Sequence, residues 1–379
     1  MRILFIAPGD NPHTWKWVGW FGHKYPGEIG LIPYISPPPE GKLDGVEVIL
    51  PHIPLFRIAS PDCWFEINRV KGILRKVKPE ILHALWAYGS GTIASSSGYH
   101  PFVLSPWGSD ITIYPCSPGI KGVIQRDLIR GALKKADRIT ATSRFLGEAI
   151  LKFGGEVRQP DLFPYGVDTS IFDPAIAHEP YEFNWPDGAP VGADVITLGF
   201  FKSLERAYGP DILITAIAKA SKHLPNLRCA LGGWGRLFEI LIQTAESLKV
   251  SDRICFPRRI HFEDMPRALA GVDIFAMPSR YEVFGVGALE ASAMMKPVIA
   301  SRKWGIPEVV QDGVTGILVE PENPDSLAEA IVKLARDPAM RSKMGEEGRK
   351  FVRENYEFED IMQRADSYCE EIRTTFQQR

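Results

Sequence analysis

The sequence predicts an α/β protein made of two doubly wound halves, each a parallel sheet with helices on its faces. Three observations carry that expectation. The chain has 379 residues, more than one ordinary domain needs and enough for two of about 150 to 200 each. Short apolar runs alternate with helix-period segments along nearly its whole length, as parallel βαβ units require. The alternation lapses over residues 174–194, rich in Pro, Asp and Gly, and then restarts.

In the first half, residues 2–7 read as a buried strand that stops at Pro8-Gly9-Asp10, and residues 46–50 as a second strand. A helical pattern over 66–78 leads to a strand at 81–85 and the glycine-rich stretch Tyr88–Thr92. A strand at 102–105 runs into Ser105-Pro106-Trp107-Gly108-Ser109-Asp110, a helix near 121–136 into a strand at 138–142, and Thr142-Ser143 opens a further helix. In the second half, strands are expected at 195–200, 228–231, 253–256, 272–277 and 297–300, with helices near 210–222, 236–248, 262–270 and 285–294 between them. Asn323-Pro324 starts a helix over 325–336, with Leu327, Ile331 and Leu334 on one stripe. The expected domains are 1–175 and 195–354, joined by 176–194, with a helical tail at 355–379 crossing back to the first.

Hydrophobic residues at 45% and charged residues at 24% are ordinary for a globular protein. A formal net charge of −2 argues against nucleic acid as a partner. One stretch departs from that balance. Residues 121–158 hold nine basic and four acidic side chains, a net +5. They form either a solvated helix face or a surface for peripheral membrane contact. Cys63, Cys116, Cys229, Cys255 and Cys369 are scattered without metal-ligand spacing, which fits reduced thiols, no metal and a cytoplasmic location, peripheral at the inner membrane surface where the basic stretch engages it. No apolar run approaches the ~20 residues of a membrane span, and the apolar amino terminus is too short for a signal peptide.

In doubly wound sheets ligands bind beyond the carboxyl ends of the strands. Asp10, His83, Trp107, Asp110, Lys202, Gly233 and Glu282 are all expected there. The most informative stretch is Pro278 to Ser292, where Glu282 lies in a loop and Glu290 lies over a turn into the following helix. At ~1.5 Å per residue the two carboxylates are displaced by roughly 10 Å along the axis. Such a spacing suits a sugar at one end of a pyrophosphate and a ribose at the other, with the N–H groups of Phe284, Gly285 and Val286 meeting the phosphates between them. Taken alone, the pair is also what a solvated loop and an exposed helix face would show.

The surrounding residues decide between these readings. Gly305-Ile306-Pro307-Glu308, Asp312-Gly313-Val314-Thr315-Gly316, Gly166-Val167-Asp168 with Phe172 and Pro174, Ala141-Thr142-Ser143, Tyr208-Gly209-Pro210-Asp211 and His13-Thr14 with Trp17 occur with the two glutamates in one order. The chain resembles the group 1 family of retaining glycosyltransferases over nearly its whole length. The resemblance implies the GT-B fold, two Rossmann-like domains facing across a cleft, no cofactor, and a nucleotide-sugar donor with a glycan, lipid or small-molecule acceptor.

The resemblance also implies roles. Glu282 would bind the donor sugar beside the reacting carbon and Glu290 the ribose. Lys202 and Arg206 would bind the pyrophosphate and stabilise the departing charge, which no Asp-x-Asp metal motif is present to neutralise. Phe200 stands where the family commonly has Arg. Gly233 would turn beside the nucleotide, and Arg259 lies where the base usually rests, in a segment that more often carries glycine. Trp107 occupies a position that often carries His; it cannot act as a base, which leaves Asp110 as the polar catalytic candidate of the first half. Asp10, His13, His83 and Trp107 are expected on the acceptor side. Two alternatives remain: a catalytically silent nucleotide-sugar-binding or scaffold subunit, and another GT-B enzyme such as an epimerase.

Overall fold

Parallel strands followed by polar loops are the repeating pattern of the computed structural model, which divides into Met1–Tyr165 with Asp360–Arg379 (unit 1) and Gly166–Glu359 (unit 2). Residues 2–54, 61–113, 116, 118–175, 179–186 and 194–378 are described, with backbone only for 61–63. The Cys63 side chain and residues 176–178 and 187–193 of the expected connection lie outside the described residues.

Unit 1 holds a seven-stranded sheet: β1 (Ile3–Pro8), β2 (Ile29–Tyr34), β3 (Val46–Val48), β4 (Ile81–Leu85), β5 (Phe102–Ser105), β6 (Arg138–Ala141) and β7 (Asp161–Leu162). The order is β3-β2-β1-β4-β5-β6-β7, and β1 pairs in parallel with both β2 and β4. Ile3 to Ala7 are fully buried, as expected for a strand covered on both faces. The helices are α1 (Pro12–Lys24), α2 (Pro61–Val77), α3 (Ser90–Ser97), α4 (Ser109–Thr112), α5 (Gly119–Lys135) and α6 (Arg144–Gly154). Ser143 caps α6 by accepting the Leu146 N–H at 3.1 Å.

Unit 2 holds a six-stranded sheet: β8 (Ile196–Phe201), β9 (Leu227–Gly232), β10 (Ile254–Cys255), β11 (Ile274–Met277), β12 (Val298–Ser301) and β13 (Gly316–Val319). The order is β10-β9-β8-β11-β12-β13. Its helices are α7 (Pro210–Ala220), α8 (Phe238–Ser247), α9 (Met265–Ala270), α10 (Val286–Ala293), α11 (Ile306–Val309), α12 (Pro324–Arg336) and α13 (Pro338–Asn355). Strand order reverses between β1 and β4 in unit 1 and between β8 and β11 in unit 2. Flanking loops diverge at such a point and leave a crevice.

The contact division falls at Tyr165, earlier than residue 175. The described part of the expected connection packs on unit 2, with Phe183 and Trp185 buried and the Tyr181 N–H donating to the Arg267 carbonyl at 3.0 Å. A last helix, α14 (Phe358–Gln377), anchors on unit 1 from Asp360 onward. Its buried stripe is Ile361, Met362, Ala365, Cys369 and Ile372. Buried Asp366 accepts the Tyr25 hydroxyl at 2.9 Å and pairs with Lys24, also at 2.9 Å.

The simple periodicity reading missed β2, β7, β13, α1, α3, α4, α11 and α13. In β2, Gly30 and Pro33 interrupt the apolar run, yet every residue of the strand is buried. In α13, Gly345 reads as a breaker but is a close-packing site, since a Cβ there would meet the Met295 carbonyl oxygen at 2.1 Å. Tertiary packing outweighs the local cost of about 1 kcal/mol for glycine inside a helix.

Candidate active site

Lys202 follows directly on β8, and the loop Pro278–Gly285 follows on β11, the two strands between which the order of unit 2 reverses. Hydrogen bonds and close backbone approach hold these two loops together. Gly209, at φ +69, sits where a Cβ would meet the Pro278 carbonyl oxygen at 2.1 Å. The Tyr281 N–H donates to the Ala207 carbonyl at 3.0 Å. The Arg280 guanidinium forks onto Asp211 at 2.7 and 2.8 Å and reaches the Arg206 carbonyl at 2.9 Å. A bidentate pair of this kind adds directional rigidity as well as energy.

Within this frame the Lys202 ammonium pairs with the Glu282 carboxylate and lies 4.5 Å from the centroid of the Tyr208 ring. Burial opposes the Lys202 charge, but Glu282, Tyr208 and, with a smaller effect, Glu290 outweigh it, so its pKa stands above the ordinary lysine value. Lys202 and both glutamates therefore belong to one electrostatic cluster. Gly285, at φ +105, begins α10 with no side-chain cap, and the Ala288 N–H donates to the Gly285 carbonyl at 3.0 Å. Glu290 is half-buried in the same helix. Arg206 is exposed, and its side chain forms no ion pair among the described residues.

An open cavity of about 550 Å³ continues from Lys202 and Gly233 to Trp234, Arg258 and Arg259. Gly233 has φ +146, and a Cβ there would meet the Lys202 carbonyl oxygen at 1.9 Å, so only glycine lets the two loops approach this closely.

In unit 1, His13 stacks on Tyr165 with ring centroids 4.1 Å apart and lies 6.1 Å from Trp107, edge to face. Asn11, whose side chain accepts the His13 N–H at 2.8 Å, caps α1 and sets this ring at the end of β1. His13, Trp107, Ser105, Thr140 and Tyr165 help line a small cavity of about 20 Å³. Asp110 is fully buried beneath the Trp107 loop. It accepts the N–H groups of Ala87 at 2.5 Å, Gly108 at 2.8 Å and Trp107 at 3.1 Å. Burial raises its carboxyl pKa to about 6 against the pull of those donors.

A sequence model described as "Glycosyl transferases group 1" matches residues 186–351, and one described as "Glycosyl transferase 4-like" matches residues 2–143. A GDP-mannose-dependent alpha-(1-6)-phosphatidylinositol monomannoside mannosyltransferase of Mycolicibacterium smegmatis is 31% identical over 280 residues, covering 71% of this chain and 69% of that protein. The chain belongs to the group 1 glycosyl transferases. A D-inositol 3-phosphate glycosyltransferase of Nocardiopsis dassonvillei is 32% identical over 225 residues, covering 56% of this chain and 51% of that protein. Among solved structures, sucrose-phosphate synthase of Thermosynechococcus elongatus superposes with a TM-score of 0.79 at 19% identity, over 99% of this chain and 100% of that one. HepE of Anabaena in complex with UDP superposes at 0.75 and 18% identity, over 98% and 100%. The fold is GT-B.

In this glycosyltransferase the predicted donor residues Lys202, Glu282, Phe284, Gly285, Val286 and Glu290 come together around the β8–β11 switch, with Gly233 and Arg259 along the adjoining cavity. Two expectations for unit 1 need correction. His83 does not end its strand: it sits within β4, only 4% exposed, with Nε2 2.7 Å from the Ser105 hydroxyl, which is 2.6 Å from that of Thr140. Asp110, expected as a catalytic group, is sealed from solvent with both oxygens taken by backbone donors, so it positions the Trp107 loop. Asp10 is exposed in the turn after β1. Sequence reasoning missed Tyr165 and Arg280. Their partners, His13 and Asp211, are distant in the chain, so no local pattern marks them.

Burial drives the His83 pKa from 6.5 down to about 3. The unfolded chain therefore binds a proton in this window that the folded chain refuses, and stability falls as pH drops from 6.5 toward 3. His83→Gln, which keeps an amide near Ser105, is expected to show a shallower loss of urea stability between pH 7 and pH 4 than the parent protein. The Asp110 carboxyl acts in the opposite sense, but it is present in both proteins and cancels in the comparison. Equal slopes would reject a neutral buried imidazole.

Proposed function

We propose that this chain is a retaining glycosyltransferase that moves a sugar from a nucleoside diphosphate sugar to an acceptor hydroxyl without a metal ion. The observation that carries this reading is the cluster of Lys202, Glu282 and Glu290 beside the uncapped amino end of α10. The Phe284, Gly285 and Val286 backbone receives the diphosphate, where N–H groups and the helix dipole favour an anion. Lys202 and Arg206 supply the positive charge that the departing diphosphate needs. Glu282 holds the sugar hydroxyls beside the reacting carbon, Glu290 the ribose, and Gly233 and Arg259 the nucleoside.

In the reaction the bond from the sugar's anomeric carbon to the phosphate oxygen breaks and a bond to the acceptor oxygen forms on the same face. The leaving phosphate takes the acceptor's proton, so no protein base is required. This suits the Trp107 position, which offers an indole donor where the family often has histidine. His13 and Trp107 form the acceptor wall, with Asp10 at its exposed rim. Relatives bear the names of a phosphatidylinositol mannoside and an inositol phosphate as substrates, so inositol-containing acceptors are the first to assay. GDP-mannose occurs in the names of relatives from Mycolicibacterium smegmatis, Corynebacterium glutamicum and Mycobacterium tuberculosis, and UDP in that of a solved neighbour, which leaves the base open.

Glu282→Gln should lower transfer at least about a hundredfold without weakening nucleoside diphosphate binding, because it removes transition-state contacts and also frees Lys202. Lys202→Ala should weaken nucleoside diphosphate binding about ten- to a hundredfold by calorimetry, as loss of a charged hydrogen-bond donor does. Full activity in the first variant or unchanged affinity in the second would reject the assignment. Transfer should persist undiminished in excess EDTA, and a strict metal requirement would contradict the cation roles of Lys202 and Arg206.

The basic stretch supports a further part of this reading, peripheral contact with an anionic membrane. Lys121, Arg130, Lys134, Lys135, Arg144, Lys152 and Arg158 are exposed, and α5 also presents Ile120 at 80% exposure. No helix among the described residues is long and apolar enough to cross a membrane. Near an anionic surface each such cation contributes about 1 kcal/mol. The protein should co-sediment with vesicles containing anionic lipid and far less with neutral ones, and the Lys134→Glu/Lys135→Glu pair should reduce that difference. Equal binding to both vesicle types would remove the membrane from the proposal.

A further inference from the structure

Arg258 has φ +35, in the left-handed region that side chains with a Cβ avoid. Its carbonyl accepts the Gly233 N–H at 2.6 Å, which ties this backbone to the turn beside Lys202. Glycine would adopt that conformation without strain. The strained backbone here places the Arg258 side chain at the wall of the cavity.

The Arg258 guanidinium carbon lies 5.1 Å from the Trp234 ring centroid and 5.3 Å from that of Phe238, so the cation is spread against two aromatic rings. Trp234 is nonetheless 54% exposed, at the wall of the 550 Å³ cavity that begins at Lys202. Arg259 lines the same cavity, is exposed, and takes part in no hydrogen bond or ion pair among the described residues. A flat aromatic surface and guanidinium donors thus line the cavity that begins at the diphosphate-binding lysine.

We propose that Arg258, Arg259 and Trp234 form a base-reading wall that selects guanine, making the donor a guanosine diphosphate sugar. This rests on the donor site proposed above. A guanidinium has only donors, and they come in a planar fork. Guanine offers two adjacent acceptors, O6 and N7, that match the fork. Adenine sets an amino donor beside N7, which opposes it. Uracil offers single carbonyl acceptors beside its N3–H donor. The indole face also overlaps a bicyclic purine more than a single ring.

The test is calorimetric titration of the full chain with GDP, UDP and ADP. GDP should bind about tenfold or more tightly than either of the others, the discrimination a bidentate contact supplies. Arg259→Ala should bring GDP affinity down toward that of UDP and lower UDP affinity by a clearly smaller factor. Arg258→Gly should also weaken GDP selectively, while its melting temperature stays equal or rises because backbone strain is relieved. UDP or ADP binding as tightly as GDP would overturn guanine selection and leave the donor site standing. Equal weakening of GDP and UDP by Arg259→Ala would reduce that arginine to a general phosphate cation and also overturn the proposal. A cooperatively folded chain that binds none of the three would overturn the donor site itself, and this inference with it.

Discussion

The ion pair between Lys202 and Glu282 is the constraint on which the candidate site depends. A lysine that leaves water loses several kcal/mol of solvation unless a counter-charge is held close. Here the counter-charge sits on a different loop, so the two loops must keep a constant separation. The carbonyl of Pro278 against Gly209, the Tyr281 amide on Ala207 and the Arg280 fork on Asp211 maintain it. Arg280 therefore affects the chemistry without touching the reacting groups: it bonds to the backbone of Arg206 and lies two residues before Glu282 in the chain. On the reading proposed here, an arriving diphosphate competes with Glu282 for the lysine. Binding then frees the carboxylate for the sugar hydroxyls as the lysine turns to the phosphates.

Unit 1 uses its polar groups differently. Asp110, Ser105, Thr140 and His83 are all buried, and each is engaged by backbone or by its neighbours. His83, Ser105 and Thr140 join β4, β5 and β6 side by side, and Asp110 ties the segment after β4 to the Trp107 loop. Above them His13 and Trp107 are partly exposed, with His13 stacked on the buried ring of Tyr165. Burial raises the Tyr165 phenol well above its ordinary pKa, and the Asp110 charge adds to this, so the ring stays neutral. Aromatic walls of this kind suit a polyol or ring acceptor.

Much of the fold was legible because parallel strands covered on both faces are short apolar runs, and polar loops follow them. β4, β5 and β8 were read to within a residue or so at each end, and Asn323-Pro324 marked the start of α12. The donor loops were legible for a related reason. Glycines placed where backbone meets backbone, and glutamates beside a helix start, leave a local pattern. The misreadings share one cause as well. Gly345, Gly30 and Pro33 carry local signals against regular structure, and packing with distant segments overrides them.

The sequence by itself determined the strand order of events along the chain, the two glutamates, the nearby cations and the family resemblance, since all of these reside in neighbouring residues. Tertiary structure alone decided which polar residues are available to a ligand. His83 and Asp110 look much like His13 and Lys202 in the sequence, yet the first two are buried. Only the fold, in turn, sets Lys202 against Glu282, Arg280 against Asp211, and Arg258 beside Trp234. The physical reason is that charge pairing and desolvation depend on distance in space, whereas sequence records distance along the chain.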